Sequence, residues 1–298
     1  MSLNEPIIKS AGLSIANQNV DCKSHTEKFS AFMRLLRPAQ WLKNLMLLFP
    51  PFLGGVILQV GMIEKAIMPI SAFCLGSSAL YILNDIFDAS NDSLHPQKKY
   101  RPIPSGTVNK THAAILAFFI FAISLILALQ QSPGFLLFFS AYIVFAVLYS
   151  IKLKHLPIID LFCISAGFLF RLQAGGVVFG VEISKWLFLS TGKRLCEKYA
   201  LGNDAGNHRK SLLHYPDGFL EGTLYLTGSA VLVTYTMYAI QRPALVYSVP
   251  VCTFGLLRYI LRVKSGMGGD PTESLLKDMP LFVVGLIWTL MVGWGIYG

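Results

Sequence analysis

Apolar residues run along this chain in blocks of about twenty, separated by short polar joints. The blocks fall near 40–60, 66–84, 111–130, 133–151, 156–178, 184–201, 220–240, 243–262 and 279–297. A helix of that length crosses a hydrocarbon core of ~30 Å. The pattern predicts an all-α, polytopic transmembrane helical bundle of about nine helices. Prolines punctuate the joints: Pro50, Pro51, Pro69, Pro133, Pro157, Pro243 and Pro280. Gly175 and Gly176 mark a place where two helices can approach closely. Residues 1–28 are polar and mixed, lack the apolar core of a secretory signal, and read as a mobile tail. Residues 29–298 then form one transmembrane domain. Within it, FSAFMRLLRPAQWLK at 29–43 reads as an interfacial helix, with Phe32, Leu35 and Leu36 facing lipid and Arg34 and Arg37 facing head groups.

The joints fall into two classes. Residues 1–39, 85–110, 151–156, 193–219 and 263–278 hold nearly all the lysine and arginine, whereas the joints near 61–65, 131–132, 179–185 and 241–242 hold only Lys65, Lys185 and Arg242. By the positive-inside rule the first class is cytoplasmic, which places the protein in the cell's inner (plasma) membrane with its charged loops facing the cytoplasm. Composition agrees: 54% of residues are hydrophobic and 14% are charged, against about a quarter charged in soluble proteins. The formal charge of +9 therefore reports orientation, and no nucleic-acid signature accompanies it. The five cysteines are scattered and unpaired in spacing, and the six histidines lie too far apart for a zinc site. Nothing in the sequence sets the oligomeric state.

The chemistry concentrates after the second block, in NDIFDASNDSLHPQKKYRPIPSG at 84–106. If the helix continues past the membrane face, Asp85, Asp88 and Asp92 fall within ~60° of one another around it. Three carboxylates on one face repel unless a cation joins them. Oxygen-only ligands suit Mg²⁺, which binds through a few carboxylates plus substrate phosphates. Asn84 adds an amide oxygen. The plainer reading is a solvated helix end. Lys98 and Arg101, with His95 and Lys99 nearby, then offer cations to a diphosphate. The plainer reading there is attraction to anionic head groups.

The run N-D-x-x-D-x-x-x-D, a lysine, then R-P-x-x-S-G resembles the UbiA superfamily of intramembrane prenyltransferases, from about residue 34 to the C-terminus. That resemblance implies a bundle of about nine helices whose cytoplasmic loops bind magnesium-diphosphate. The usual second aspartate-rich motif is missing from TGKRLCEKYALGNDAGNHRKSLLHYPDG at 191–218, which instead holds Lys193, Arg194 and Glu197. This, with RPAQWLKN at 37–44, YSIKLKHLPIIDL at 149–161 and GFLFRLQAGG at 167–176, is similar to the branch that makes decaprenylphosphoryl-5-phosphoribose. The resemblance implies 5-phosphoribosyl transfer from phosphoribosyl diphosphate (PRPP) to a polyprenyl phosphate. It also implies a part in cell-wall biogenesis.

Further candidates follow from position. Tyr149, Lys152 and Asp160 surround the start of the fifth block, and Arg171 lies eleven residues beyond Asp160 inside it. That separation is ~16 Å along a helix, too far for the two to pair directly. An ionisable residue at membrane depth is a functional candidate or a structural interhelical link. GMGGDPTESLLKD at 266–278 reads as a capped helix start at Asp270, with glycines able to act as a flap. The reading assigns Asp85, Asp88 and Asp92 to metal and catalysis together with Lys193. It assigns Asn84, Lys98, Arg101, Tyr149, Lys152, Asp160, Arg171, Arg194 and Glu197 to substrate. Rival readings are prenyl transfer from a polyprenyl diphosphate to an aromatic acceptor, a lipid-phosphate transporter, and a non-catalytic scaffold.

Overall fold

The computed structural model describes residues 30–156, 158–181, 216, 218–267 and 269–298. Among these, ordered structure is entirely helical, and seven helices are long and apolar enough to cross a membrane. The chain is thus an integral membrane helical bundle. A short helix, α1 (30–36), leads into a 3₁₀ segment, Pro38–Leu48, and a five-residue helix α2, Phe49–Leu53. The spanning helices are α3 (Met62–Ser93), α4 (Lys110–Leu129), α5 (Pro133–Ile151), α6 (Ile159–Phe179) and α7 (Phe219–Ile240). A 3₁₀ turn, Pro243–Ser248, enters α8 (Val249–Lys264), and the short α9 (Pro271–Lys277) leads to α10 (Met279–Tyr297).

Seven of the predicted runs become spanning helices. The run at 184–201 lies outside the described residues. The run at 40–60 differs: it is a 3₁₀ segment followed by α2 and turns, not one spanning α-helix. Pro50 and Pro51 supply no backbone N–H, so no regular α-ladder passes through them. A 3₁₀ segment rises ~2.0 Å per residue, so 11 such residues and the 5 of α2 still extend about 30 Å.

α1 also departs from the interfacial prediction. Ala31 and Leu35 are fully buried in a cluster with Ala79 and Ile82 of α3 and Ala113 and Ala117 of α4. Leu35 therefore faces protein, not lipid. The helix stops at Arg37, which adopts left-handed φ 51° and ψ 57° before Pro38. A residue preceding proline is disfavoured in the right-handed helical region, which ends the amphipathic stretch early.

α3 is the element that positions the site. Its 32 residues run ~48 Å, well beyond a membrane core, so its last turns project past the apolar layer. Nothing between Pro69 and Leu94 breaks it, since the interval holds no further proline and its one glycine, Gly76, packs on Phe139 and Ser124. Phe73 meets Phe135, Phe139 and Tyr142 of α5 with ring centroids at 5.7, 5.2 and 5.3 Å. The Ser124 hydroxyl donates to the Ala72 carbonyl at 2.7 Å, joining α4 to α3. Gly175 of α6 lies so close to the 3₁₀ segment that a Cβ built there would overlap the Leu47 carbonyl. The small residue is what lets those backbones meet.

The C-terminal helices gather around α2. Tyr238 donates to the Leu53 carbonyl at 2.8 Å and Tyr297 to the Phe52 carbonyl at 2.8 Å, tying α7 and α10 to the end of α2. At the opposite end Asp278, which caps α10 through the Leu281 N–H, accepts from Arg258 at both oxygens and from Arg262. Hydrogen bonds from Arg258 first, and from the Leu281 N–H next, hold its carboxyl down at about 2.

Gly175→Ala is expected to lower bundle stability by about 1–3 kcal/mol through overpacking, read as a fall in melting temperature of the detergent-purified protein. Asp278's folded value lies below its ordinary 3.8. Its stabilising effect is therefore complete above about pH 4 and vanishes as pH falls through about 2. The melting-temperature gap between wild type and Asp278→Asn should stay constant from neutral pH to about 4 and close in stronger acid.

Candidate active site

The exposed end of α3 presents its carboxylates as the spacing predicts, but each meets a cation. Asp85 is buried and accepts from Arg37 and, at 3.2 Å, from Arg101. Asp92, also buried, accepts from Arg101 at 2.7 Å and lies 3.9 Å from the Lys98 ammonium. Asp88 turns aside to Lys154 on the α5–α6 joint. One nitrogen, Arg101 Nη1, thus bridges Asp85 and Asp92 across seven residues of helix.

Local sequence places these cations. Arg101 is extended at φ −66° and ψ 152°, as a residue before proline prefers, and caps the 3₁₀ turn Lys98–Tyr100 that brings Lys98 alongside. Ser105 N–H to Arg101 carbonyl and Val108 N–H to Pro102 carbonyl fold the loop on itself. Arg37, Arg34, Gln97, Tyr100, Pro102, Asp85 and Arg101 line a cleft of about 240 Å³. Arg37 also lies 5.1 Å from the Tyr81 ring centroid. Arg37 was expected at the lipid head groups, and it instead turns inward onto Asp85. No spacing rule signals this, because Arg37 stands past the end of α1 at a left-handed backbone position, where helical spacing no longer sets its direction.

The sequence-predicted residues separate into groups. Asp85, Asp92, Lys98 and Arg101 come together, with the half-buried Asn84 beside them on α3. Asp88 joins the α5–α6 joint, where Lys152 is exposed, Tyr149 half-buried and Asp160 fully buried. Lys154, the partner of Asp88, is itself buried. Lys193, Arg194 and Glu197 lie outside the described residues.

Arg171 sits apart, in a buried polar knot. It donates to Asn44 at 2.8 Å, to the Gly167 carbonyl at 2.8 Å and to the Tyr142 hydroxyl at 3.0 Å. Its guanidinium also lies 4.5 Å from the Tyr142 ring centroid. Asn44 in turn donates to Cys74 and Ser77 of α3, both at 3.3 Å. Arg171 therefore joins α6 to α5, α3 and the 3₁₀ segment, and it does not pair with Asp160, as the helical spacing required. Above it, Lys43 pairs with Asp270, whose other oxygen caps α9 through Thr272 and Glu273. Asp270 thus caps and pairs at once, and Tyr259 pins the glycine loop through the Gly269 carbonyl at 2.7 Å.

Among the described residues, no three histidine, cysteine or acidic side chains are arranged to hold a metal as they stand. The donor chemistry nevertheless fits a hard divalent cation. Asp85 and Asp92 offer only oxygen, and both already converge on a single positive nitrogen. A second feature is apolar: Phe145, Leu153, Ile159, Phe162, Cys163, Ala166 and Leu169 line a groove of about 320 Å³ between α5 and α6.

Residues 47–192 match the UbiA prenyltransferase family. The chain is 32% identical to the decaprenyl-phosphate phosphoribosyltransferase of Corynebacterium glutamicum, covering 89% of this chain and 86% of that one. It is 31% identical to the decaprenyl-phosphate phosphoribosyltransferase of Mycobacterium tuberculosis, covering 88% and 92%. A solved UbiA homolog from Archaeoglobus fulgidus bound to GPP and Mg²⁺ superposes with TM-score 0.65 over 90% of this chain and 99% of that one, at 19% identity. That last likeness is one of fold.

Arg171→Met removes three donated hydrogen bonds, two of them from the buried Asn44 and Tyr142. It is expected to destabilise the protein by about 2–4 kcal/mol, with Arg171→Lys recovering only part, as read by thermal unfolding.

Proposed function

The chain belongs to the UbiA prenyltransferase family, and on that footing we propose that it transfers 5-phosphoribosyl from PRPP to decaprenyl phosphate or a similar polyprenyl phosphate. The observation that carries the reading is the identity of 30–32% to decaprenyl-phosphate phosphoribosyltransferases over about nine-tenths of the chain. A buried acidic cluster already ringed by arginine and lysine supports it, because that is the setting a polyphosphate donor needs.

The reaction asks for positioning and charge stabilisation more than for proton transfer. The nucleophile is an oxygen of the lipid phosphate, ionised at neutral pH. It attacks the anomeric carbon of the ribose, the carbon–oxygen bond to diphosphate breaks, and diphosphate leaves with the electron pair. The carbon passes through an oxocarbenium-like state. No general base is required, in keeping with a site of carboxylates and permanent cations. Asp85, Asp88 and Asp92 would hold Mg²⁺, which when bound supplies Lewis-acid charge to the leaving diphosphate. Asn84 would orient the ligating carboxylates. Lys98 and Arg101 would take the diphosphate oxygens directly, as charge-assisted donors. Lys152, Lys193 and Arg194 would receive the 5-phosphate, with Tyr149, Asp160 and Glu197 on the ribose side. Arg171, three bonds deep in the bundle, would act by positioning Asn44 and Tyr142 beneath the site. The isoprenoid tail would lie in the apolar groove between α5 and α6, whose residues Leu153 and Ile159 flank the Lys154 joint. The site would face the cytoplasm, because the charged joints cluster at one end through Asp88–Lys154, Asp85–Arg37 and Asp270–Lys43.

Purified protein given labelled PRPP, decaprenyl phosphate and magnesium should yield a labelled lipid and release diphosphate. Polyprenyl diphosphate with 4-hydroxybenzoate should yield nothing, and the reverse outcome would assign the chain to aromatic prenyl transfer. Asp92→Asn is expected to cut the phosphoribosyl rate by about 10²-fold or more. Removing magnesium with EDTA should abolish it, with recovery on re-addition.

A further inference from the structure

We infer that Ser78 is a positioning residue for the donor site: its hydroxyl clips the chain on both sides of Arg37 and so fixes where that arginine stands in the cleft. This rests on the reading above, in which the cleft beside Asp85 and Arg101 takes the donor's diphosphate, and it adds a residue that itself never touches the donor.

The clip is a pair of hydrogen bonds at one oxygen. Ser78 Oγ donates to the Leu36 carbonyl at 2.7 Å and accepts from Trp41 Nε1 at 2.9 Å. Leu36 immediately precedes Arg37, and Trp41 lies one turn of chain beyond it. A serine inside a helix commonly donates back to its own helix, as Ser77 does to the Cys74 carbonyl and Ser150 to the Ala146 carbonyl. Ser78, fully buried, instead directs its hydrogen to a segment 42 residues away. The Leu36 carbonyl sits in the last turn of α1, where a helix offers no N–H of its own.

The clip acts where the backbone most needs it. Arg37 holds left-handed φ and ψ, a conformation that is costly for a residue other than glycine. The Gln40 N–H donates to the Arg37 carbonyl at 2.8 Å, but that bond is local and would move with the segment. Ser78 ties the reversal to α3. Tyr81 and Asp85 continue along the same face of that helix, one and two turns beyond Ser78. The Arg37 guanidinium lies 5.1 Å from the Tyr81 ring centroid and reaches Asp85. Ser78 thus holds the main chain of this arginine, while Tyr81 and Asp85 meet its side chain. Arg37 lines the cleft together with Arg101. A cation there binds an incoming phosphate well only if its backbone is already held, because ordering it on binding weakens affinity.

The test is a mutant cycle on the detergent-purified full-length protein, read by equilibrium binding of labelled PRPP with magnesium and by steady-state phosphoribosyl transfer. Ser78→Ala should weaken PRPP binding by about five- to tenfold and raise the KM for PRPP likewise, with kcat and the KM for decaprenyl phosphate within about twofold of wild type. Arg37→Gln should weaken PRPP binding by about tenfold or more. In the Arg37→Gln background, Ser78→Ala should change PRPP affinity by less than about twofold, because the residue it positions is gone. Trp41→Phe keeps an aromatic ring, removes the indole N–H, and should weaken PRPP binding by about two- to threefold, which keeps a folded variant available if Ser78→Ala fails to assemble. Wild-type PRPP affinity in Ser78→Ala, or in Trp41→Phe where that variant stands in for it, would overturn the inference. So would a loss on Ser78→Ala that persists in full without Arg37, since that marks a merely structural serine. Wild-type protein that neither binds nor turns over PRPP would overturn the functional reading, and the inference with it.

Discussion

Everything at the charged end of this bundle depends on three carboxylates at the tip of one overlong helix being neutralised by cations from elsewhere in the chain. Asp85 draws Arg37 from the N-terminal segment and Arg101 from the following loop. Asp92 draws Lys98 and the same Arg101, and Asp88 draws Lys154 from the joint between α5 and α6. Remote pieces of sequence are thereby gathered at one end of the bundle. Exposed ion pairs contribute little to stability, but these carboxylates are largely shielded, so an unmatched one would be expensive. The cations that balance these carboxylates come from three separate stretches of sequence, so the cluster also ties the bundle's end together.

Beneath that surface lies a second polar assembly with a different task. Arg171, Asn44, Tyr142, Cys74 and Ser77 tie four segments together within an otherwise apolar bundle. In lipid there is no hydrophobic force to press helix on helix, so close backbone contact at Gly175 and shared hydrogen bonds carry the association. The knot also fixes where the 3₁₀ segment sits, and that segment carries Lys43 and follows directly on Arg37. Core packing and site geometry are thus connected through a few residues, Asn44 above all.

Much of this was legible from the chain itself. The spacing of Asp85, Asp88 and Asp92 required one helical face, and α3 supplies it because no breaker interrupts the run before Leu94. Arg101 before Pro102 implied an extended residue, and it is one. Arg171 and Asp160 were too far apart on one helix to pair, and they do not. What escaped sequence reasoning has two sources, contacts between segments far apart in sequence and local proline breaks that hydropathy does not register. Arg37 meets Asp85 from a left-handed backbone position just past the end of α1, and Leu35 is buried because α1 packs on α3 and α4. The first apolar run reads like any other by hydropathy, yet it is a 3₁₀ segment followed by a five-residue helix that opens on Pro50 and Pro51. Asp270 announced its capping role but not its partner Lys43, because a contact across 227 residues leaves no local trace.

The central claim is that the cluster of Asp85 and Asp92, with Arg101 beside it, is where the proposed metal and the donor's diphosphate meet. The most direct measurement is a structure of the protein with PRPP and Mn²⁺, with the metal located by its anomalous scattering. The account predicts a metal at about 2 Å from oxygens of Asp85 and Asp92, with Arg101 turned to the diphosphate. A metal bound elsewhere, or Arg101 still bridging both carboxylates with donor in place, would contradict it.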